Sequence, residues 1–195
     1  MREKAEYKSA KRSRKLIRTA FAKLMLEKPL DKITITDIVK EADLNRGTFY
    51  AHYQSPYGVI EEVENEIMDN LIIFLDEASY RNFCDNPLPL ILKVNRYLEE
   101  ELEEFKMLIQ CSTSEQFLNR LKELFVSHME EDERIPTALK ETKEFKATTY
   151  FIAGGIIEIY KRWFHEELEI ETLDDLAKCV SENIKDYARR FLGVE

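Results

Sequence analysis

The stretch TITDIVKEADLNRGTFYAHY, residues 34–53, predicts two short helices joined by a tight turn. Thr34 and Asp37 have the spacing of a capping box, in which each side chain accepts a hydrogen bond from the backbone N–H of the other residue. Asn45 is a good N-cap for a second helix over residues 46–53. Between these caps, apolar residues recur at the spacing of one helix face, namely Ile35, Ile38, Val39 and Ala42.

A longer basic helix is predicted before this pair, over residues 8–27, and Pro29 cannot continue it. Its apolar residues form one stripe: Leu16, Ile17, Ala20, Phe21, Leu24 and Met25. Three helices in this order predict a helix-turn-helix head. In the last of these helices Phe49 would turn inward, and the residues predicted to point mostly outward are Arg46, Gly47, Thr48, Tyr50 and His52. The outward side chains are hydrogen-bond donors, which suit phosphates and the base edges of DNA.

The charge of the chain is divided unevenly. Residues 1–53 hold 13 Lys or Arg and 7 Asp or Glu, a net of +6, whereas residues 54–195 hold 16 and 31, a net of −15. A basic head on an acidic body indicates a nucleic-acid partner. A merely solvated basic helix would give the same count, so the charge alone leaves both interpretations open.

The remainder of the chain is predicted to be helical. Ser55 and Pro56 suit the N-cap and first position of a long helix, and Thr172 with Asp175 makes another capping box. The helices are predicted over residues 55–79, 87–101, 103–111, 114–132, 137–165 and 172–191. With five Gly and five Pro in 195 residues, the sequence predicts an all-α fold of about nine helices. A long helix would join the head, 1–54, to the body, 55–195.

The segment 34–53 strongly resembles the signature of the TetR (tetracycline repressor-like) family, most specifically in Gly47-Thr48, Tyr50 and His52-Tyr53. The close resemblance covers about residues 10–65, and Tyr150–Ile157 resembles the penultimate helix of one subgroup. The resemblance implies a homodimer that binds double-stranded operator DNA and regulates transcription. It also implies repression that a small-molecule effector releases.

The resemblance places residues 46–53 in the major groove as the recognition helix. Arg46 is the best candidate for reading a base, Thr36 would touch the DNA backbone, and basic residues such as Lys11 and Arg14 would steer the approach. The full set of predicted DNA-binding residues is Thr34, Thr36, Asn45, Arg46, Gly47, Thr48, Tyr50 and His52.

Two positions depart from the family pattern. Asp43 stands in the turn where the family usually has Gly, and we expect the turn to survive because Asp tolerates the left-handed conformation. Pro56 stands where the family usually has a Lys that meets a phosphate. One DNA contact is therefore in doubt.

The body has two predicted surfaces. The resemblance implies a four-helix dimer interface from the last two helices, with Ile152, Gly155, Ile159, Trp163, Leu176, Val180, Ile184 and Tyr187. It also implies an effector pocket, with candidates Phe105, Met107, Ile109, Phe117, Phe125, His128, Met129 and Tyr150. Ordinary core packing is an equally good explanation of each single residue. The long helix 55–79 would carry the change between effector-bound and DNA-bound states.

Other classes of protein find little support. No nucleophile elbow, phosphate-binding glycine loop or spaced metal-ligand set is present, so we predict neither an enzyme nor a bound cofactor or metal. The scattered cysteines predict no disulfide framework. No apolar run reaches the roughly 20 residues that a membrane span needs, so a cytoplasmic protein is expected. The alternative is a TetR-like coactivator or adaptor that acts mainly through a protein partner.

Overall fold

The computed structural model describes residues 2–78, 80–110 and 114–191. This part of the chain holds eleven α-helices and one 3-10 helix, and no strand. They are α1 (Arg2–Glu27), the 3-10 helix Leu30–Lys32, α2 (Ile35–Glu41), α3 (Arg46–Tyr50), α4 (Pro56–Glu77), α5 (Tyr80–Asp85), α6 (Leu88–Glu100), α7 (Leu102–Gln110), α8 (Ser114–Glu131), α9 (Thr137–Lys140), α10 (Lys143–Phe164) and α11 (Leu173–Phe191). The all-α prediction is confirmed.

Several predicted boundaries were wrong. The helix predicted over 137–165 is two helices, because Thr142 breaks the run and caps α10 by accepting a hydrogen bond from the Phe145 N–H at 3.1 Å. The short helix α5 lies where no helix was predicted, and α1 begins six residues earlier than expected. Ser79 and Cys111, where two helices were predicted to end, lie outside the described residues.

The chain divides into two compact units, and α4 contributes to both. The first unit consists of Met1–Glu66 and Glu101–Ser114. In it, α1 packs against α2 and α7. Its core consists mainly of Ile17, Phe21, Ile38, Phe49, Val59, Val63, Met107 and Leu108, all fully buried. Leu16, predicted to lie on the apolar stripe of α1, is instead exposed.

The second unit consists of Ile67–Glu100 and Glu115–Glu195. Here α11 packs against α5, α6 and α10. A buried polar link joins three of these segments: Asn95 on α6 donates to the backbone carbonyl of Leu173 and accepts from the Tyr160 hydroxyl. The division into a head, 1–54, and a body, 55–195, concerns the roles of the two parts and stays a prediction.

Among the residues that the structure describes, no helix is both long enough and apolar enough to span a membrane.

Candidate nucleic-acid interface

Side chains cap the N-terminus of each helix in the predicted pair. The Thr34 Oγ1 accepts from the Asp37 N–H at 3.2 Å, and the Asp37 carboxylate accepts from the Thr34 N–H at 2.9 Å. The Asn45 Oδ1 accepts from the Thr48 N–H at 2.8 Å and caps α3. The capping box and the N-cap are therefore confirmed. Because these side-chain oxygens already accept from backbone N–H groups, Thr34 and Asn45 stabilise the N-termini of their helices. A direct contact of either residue with DNA stays a prediction.

The turn between α2 and α3 depends on Asp43. Its φ of 52° lies in the left-handed region, which glycine adopts without strain and Asp tolerates better than most residues. The Leu44 N–H then donates to the Val39 carbonyl at 2.9 Å, which ends α2. The expectation that Asp43 can replace the usual glycine is confirmed.

The end of α1 is tied to α2 by an ion pair. The Lys28 Nζ lies 2.8 Å from the Asp37 Oδ2. This contact, together with the hydrogen bonds from Thr34, holds the pKa of the Asp37 carboxyl well below its usual range. The negative charge of Asp37 also lies in the first turn of α2, where a helix dipole favours it.

The helix α3 presents a short polar surface. Phe49 is fully buried and anchors the helix, whereas Arg46, Gly47 and Tyr50 are exposed; Tyr50 keeps 58% of its surface. A Cβ at position 47 would lie 3.1 Å from the Asn45 Oδ1, so glycine leaves room for the capping oxygen. The helix ends at Tyr50 instead of residue 53, because the Phe49 carbonyl accepts from both His52 and Tyr53 and tightens the chain into a turn.

Two predicted DNA-binding residues contact each other directly. The Arg46 guanidinium donates to the Thr36 hydroxyl at 2.5 Å. Thr36 was predicted to touch the DNA backbone; in this structure it joins α2 to the side chain best suited to reading a base. The hydrogen bond limits the directions in which the guanidinium can point.

His52 was predicted to point mostly outward, but it is half-buried. Its Nε2 lies 2.9 Å from the Oγ of Ser13 on α1. Sequence analysis missed Ser13, because the two residues are 39 positions apart and no local pattern marks the pair.

Exposed cations line the first half of α1 as predicted, namely Lys8, Lys11, Arg12 and Lys15. Arg14, which was predicted to steer DNA, lies 3.5 Å from the carboxylate of Glu62 on α4. The negative charge of Glu62 offsets the positive charge of Arg14. Arg14 therefore contributes less to the long-range attraction of DNA. The pair lies 48 positions apart in the sequence, which explains why sequence analysis did not find it.

Among the described residues, Arg18 takes part in a well-enclosed ion pair of the first unit. Its Nε lies 3.2 Å from the Glu104 Oε1 on α7, and its Nη1 contacts Glu66 on α4. The side chains of Arg18 and Glu104 are only 12% and 10% exposed. Burial raises the pKa of Glu104 to about 7, with a further contribution from Glu101, and this outweighs the opposite effect of Arg18.

The predicted effector-pocket residues divide between the two units. Phe105, Met107 and Ile109 are buried in the first unit, and Phe117 and Met129 are buried in the second. Phe125 and His128 are half-buried, and the His128 Nδ1 lies 3.7 Å from the Asp76 carboxylate. Tyr150 does not fit the prediction, because 47% of its surface is exposed. A pocket at the remaining residues stays a prediction.

The predicted dimer residues also divide, into buried and accessible ones. Leu176, Val180, Ile184 and Ile152 are at most 5% exposed within the protomer. They therefore form the interior of the second unit and offer a partner almost no surface, which corrects their assignment to an interface. The side chain of Tyr187 is 38% exposed, and Gly155, Ile159 and Trp163 are partly exposed.

An aromatic pair marks the accessible side of α10 and α11. Phe151, which is 55% exposed, stacks on Tyr187 with ring centroids 4.5 Å apart. Along α10, Gly154 and Gly155 follow Phe151 at the spacing of one helix face, and a Cβ at either glycine would meet nothing within 4 Å. This face, defined by Phe151, Gly154, Gly155 and Tyr187, is called the aromatic–glycine face below.

A capped helix pair with exposed donors defines a helix-turn-helix DNA-binding protein, and the family comparisons agree. The family model described as "Bacterial regulatory proteins, tetR family" matches residues 17–63. The model described as "Transcriptional regulator C-terminal region" matches residues 85–191, more than half of the chain. The chain belongs to the TetR family and is a DNA-binding transcriptional regulator. Repression that a bound effector releases is the mode typical of this family.

Solved structures share this fold. The chain is similar to the dihydroxyacetone kinase operon activator DhaS, with TM-score 0.62 and 17% identity over 92% of this chain and 97% of that chain. It is also similar to a putative TetR-family transcriptional regulator from Syntrophomonas wolfei str. Goettingen (TM-score 0.68, 18% identity, 92% and 96% covered). A TetR transcriptional regulator from Streptococcus agalactiae 2603V gives TM-score 0.55 and 20% identity, with 93% and 98% covered. A comparison with curated proteins gives no match.

Proposed function

We propose that the chain is a cytoplasmic, homodimeric repressor that reads operator DNA with α3 and leaves it when a small molecule binds. The observation that carries the proposal is the polar surface of α3, held in place by the caps at Thr34 and Asn45 and by the buried Phe49. We assign it no catalytic activity and no cofactor.

Arg46 is the proposed base reader. A guanidinium can donate two hydrogen bonds to guanine in the major groove, and each such pair discriminates against a wrong base by about 1–3 kcal/mol. The hydrogen bond from Arg46 to Thr36 supports this role, since a side chain oriented before binding loses less freedom on binding. Thr48, Tyr50 and His52 are the proposed phosphate contacts, and the exposed cations of α1 add attraction that salt weakens.

The aromatic–glycine face is the proposed centre of the dimer interface. It is exposed and apolar in the protomer, and the glycines leave open space for close approach of a second helix. A twofold dimer suits a near-palindromic site with half-sites about one helical turn apart. The effector would act by binding one of two dimer states more tightly, with α4 carrying the change.

The proposal is tested by selecting binding sites for the purified protein from a randomised duplex pool at near-physiological salt. We expect an enriched near-palindrome with two half-sites. Enrichment of no sequence, with weak binding that disappears as salt rises, would mean backbone contact without readout. The adaptor alternative, in which the chain acts through a protein partner, would then replace this proposal.

Arg46→Ala tests the base reader on the selected site. We expect a loss of about 1–3 kcal/mol and a relaxed preference at one position of each half-site. Lys32→Ala is the matched control, because it removes an equal charge from an exposed position in the same unit. The Lys32 side chain lies near Asp31. Equal losses for the two variants, with an unchanged sequence preference, would show that Arg46 contributes only charge.

Activation is the second candidate. One structural neighbour, DhaS, is described as an operon activator, and the same DNA contacts serve either sign of regulation. A reporter gene placed behind the selected site separates the two, because deletion of the regulator raises expression for a repressor and lowers it for an activator.

A further inference from the structure

The hydroxyl of Ser13 lies at the centre of a small hydrogen-bond network between α1 and the turn after α3. Its Oγ is 2.9 Å from the Ser9 carbonyl, 3.1 Å from the Ala10 carbonyl and 2.9 Å from the His52 Nε2. A serine hydroxyl has one proton to donate and two lone pairs with which to accept. Both carbonyls can only accept, and a hydroxyl proton that points toward them leaves the Oγ lone pairs available to accept from the imidazole.

We propose that Ser13 is a positioning residue for His52: its oxygen accepts from the Nε2–H and holds the imidazole in one orientation before DNA binds. The inference rests on the proposed function, in which His52 contacts a DNA phosphate. In this arrangement the neutral ring is the Nε2–H tautomer, and Nε2 carries a proton in the imidazolium as well, so the bond is available to both forms. In the imidazolium form Nδ1 also carries a proton and can donate to a phosphate oxygen.

The position of His52 makes this constraint useful. The residue lies two positions beyond the end of α3. In this turn the Phe49 carbonyl accepts hydrogen bonds from the N–H groups of both His52 and Tyr53. A side chain in such a turn is held less firmly than one inside a helix. Ser13 supplies the missing constraint from the long helix α1, through a part-buried hydrogen bond. Orienting a side chain in advance reduces the conformational freedom that is lost on binding.

The expected effect is moderate and measurable. Immobilising one side chain in advance changes the affinity for a ligand by about three- to tenfold. A dimer has two copies of His52, so the two factors multiply. We therefore expect Ser13→Ala to weaken binding to the selected palindromic duplex by about 10- to 100-fold, measured by fluorescence anisotropy at fixed salt. Ser13→Thr keeps the hydroxyl on the same helix and should restore most of the affinity. Ser9→Ala, one turn earlier on an exposed position, should leave it unchanged.

A double-mutant cycle separates this inference from the proposed function. If His52→Ala binds as tightly as the wild type, the proposed DNA contact of His52 is wrong. If His52→Ala is weak but Ser13→Ala is not, the contact holds and the positioning role is wrong. We expect both single variants to be weak and the double variant to be no weaker than His52→Ala, because the two residues act as one unit. A further loss in the double variant would overturn the inference.

A spectroscopic measurement on the free protein tests the hydrogen bond itself. In the wild type and in Ser13→Thr, we expect the His52 Nε2–H proton to be observed by NMR, since the bond protects it from exchange with water. In Ser13→Ala the same proton should exchange rapidly and its signal should be lost. A signal that stays equally sharp without the hydroxyl would overturn the inference, whatever the DNA affinities are.

Discussion

The enclosed carboxyl of Glu104 predicts a pH-dependent stability that one substitution should remove. Its ordinary pKa is 4.5, and burial raises it to about 7 in the folded protein. Each factor of ten in a protonation equilibrium corresponds to about 1.4 kcal/mol, so the shift corresponds to about 3 kcal/mol. The charges that act on it belong to Arg18 and Lys15 on α1 and to Glu101 immediately before α7, and Glu66 on α4 contacts the same Arg18.

The sign follows from which state binds the proton. Below pH 4.5 the carboxyl is protonated in both states, and it adds no pH dependence. Between pH 4.5 and about 7 the folded protein keeps a proton that the unfolded chain has lost, so the free energy of unfolding falls as pH rises. Above pH 7 the full penalty is present. Glu104→Gln cannot ionise, so the free energy of unfolding of the wild type should fall, relative to this variant, by up to about 3 kcal/mol between pH 4.5 and 8.

Urea unfolding followed by far-UV circular dichroism at several pH values measures this difference. The single Trp163 lies in the second unit and is a poor reporter for the first. Glu103→Gln, on the exposed side of the same helix, is the matched control and should follow the wild type at every pH. If the wild type and Glu104→Gln keep a constant difference from pH 4.5 to 8, burial does not control this carboxyl and the reasoning is refuted.

Three further predictions concern local features. Thr34→Ala should lower the free energy of unfolding by about 1 kcal/mol through loss of the N-cap, whereas Thr34→Ser should not, as thermal denaturation can show. Asp43→Ala should destabilise the protein by about 1 kcal/mol because of the positive φ, and Asp43→Gly should be at least as stable as the wild type; a stable Ala variant in urea unfolding would contradict this. Gly155→Leu should leave the protomer folded, because a Cβ there meets nothing within 4 Å, but should shift sedimentation toward the monomer; an unchanged dimer would place the interface elsewhere.

The parts of the site that sequence analysis predicted correctly depend on local rules. The capping box at Thr34 and Asp37, the N-cap at Asn45 and the left-handed turn at Asp43 each involve residues within three positions of one another or a single backbone conformation. Such interactions involve residues close together in the sequence, so residue type and spacing are enough to predict them.

The contacts that were missed connect distant positions. The contacts between Ser13 and His52 and between Arg14 and Glu62 join segments that meet only after folding. A sequence pattern shows that a residue is polar and which helix face it occupies. It does not show which side chain of another helix lies opposite.

The stripe on α11 illustrates a different limit. Its apolar residues were predicted to meet a partner protomer, yet Leu176 and Val180 are buried within the second unit, where α11 packs against α5 and α6. An apolar helix face indicates that something covers it, and does not indicate whether the cover comes from the same chain or from another. On α10 and α11, accessible apolar surface lies instead around Phe151 and Tyr187.

The first unit is assembled from two stretches of sequence, because α7 returns to pack on α1. A recombination event or a cloning design that exchanges only residues 1–54 would join a foreign α1 to the resident α7. Glu104 would then face whatever residue the donor has at the position of Arg18, and a donor without a cation there would leave the buried carboxylate without its ionic partner. A chimera that exchanges DNA specificity between relatives should therefore include residues 101–114 together with the head. The segments that must be exchanged together are separated in the gene, although they belong to one compact unit of the folded protein.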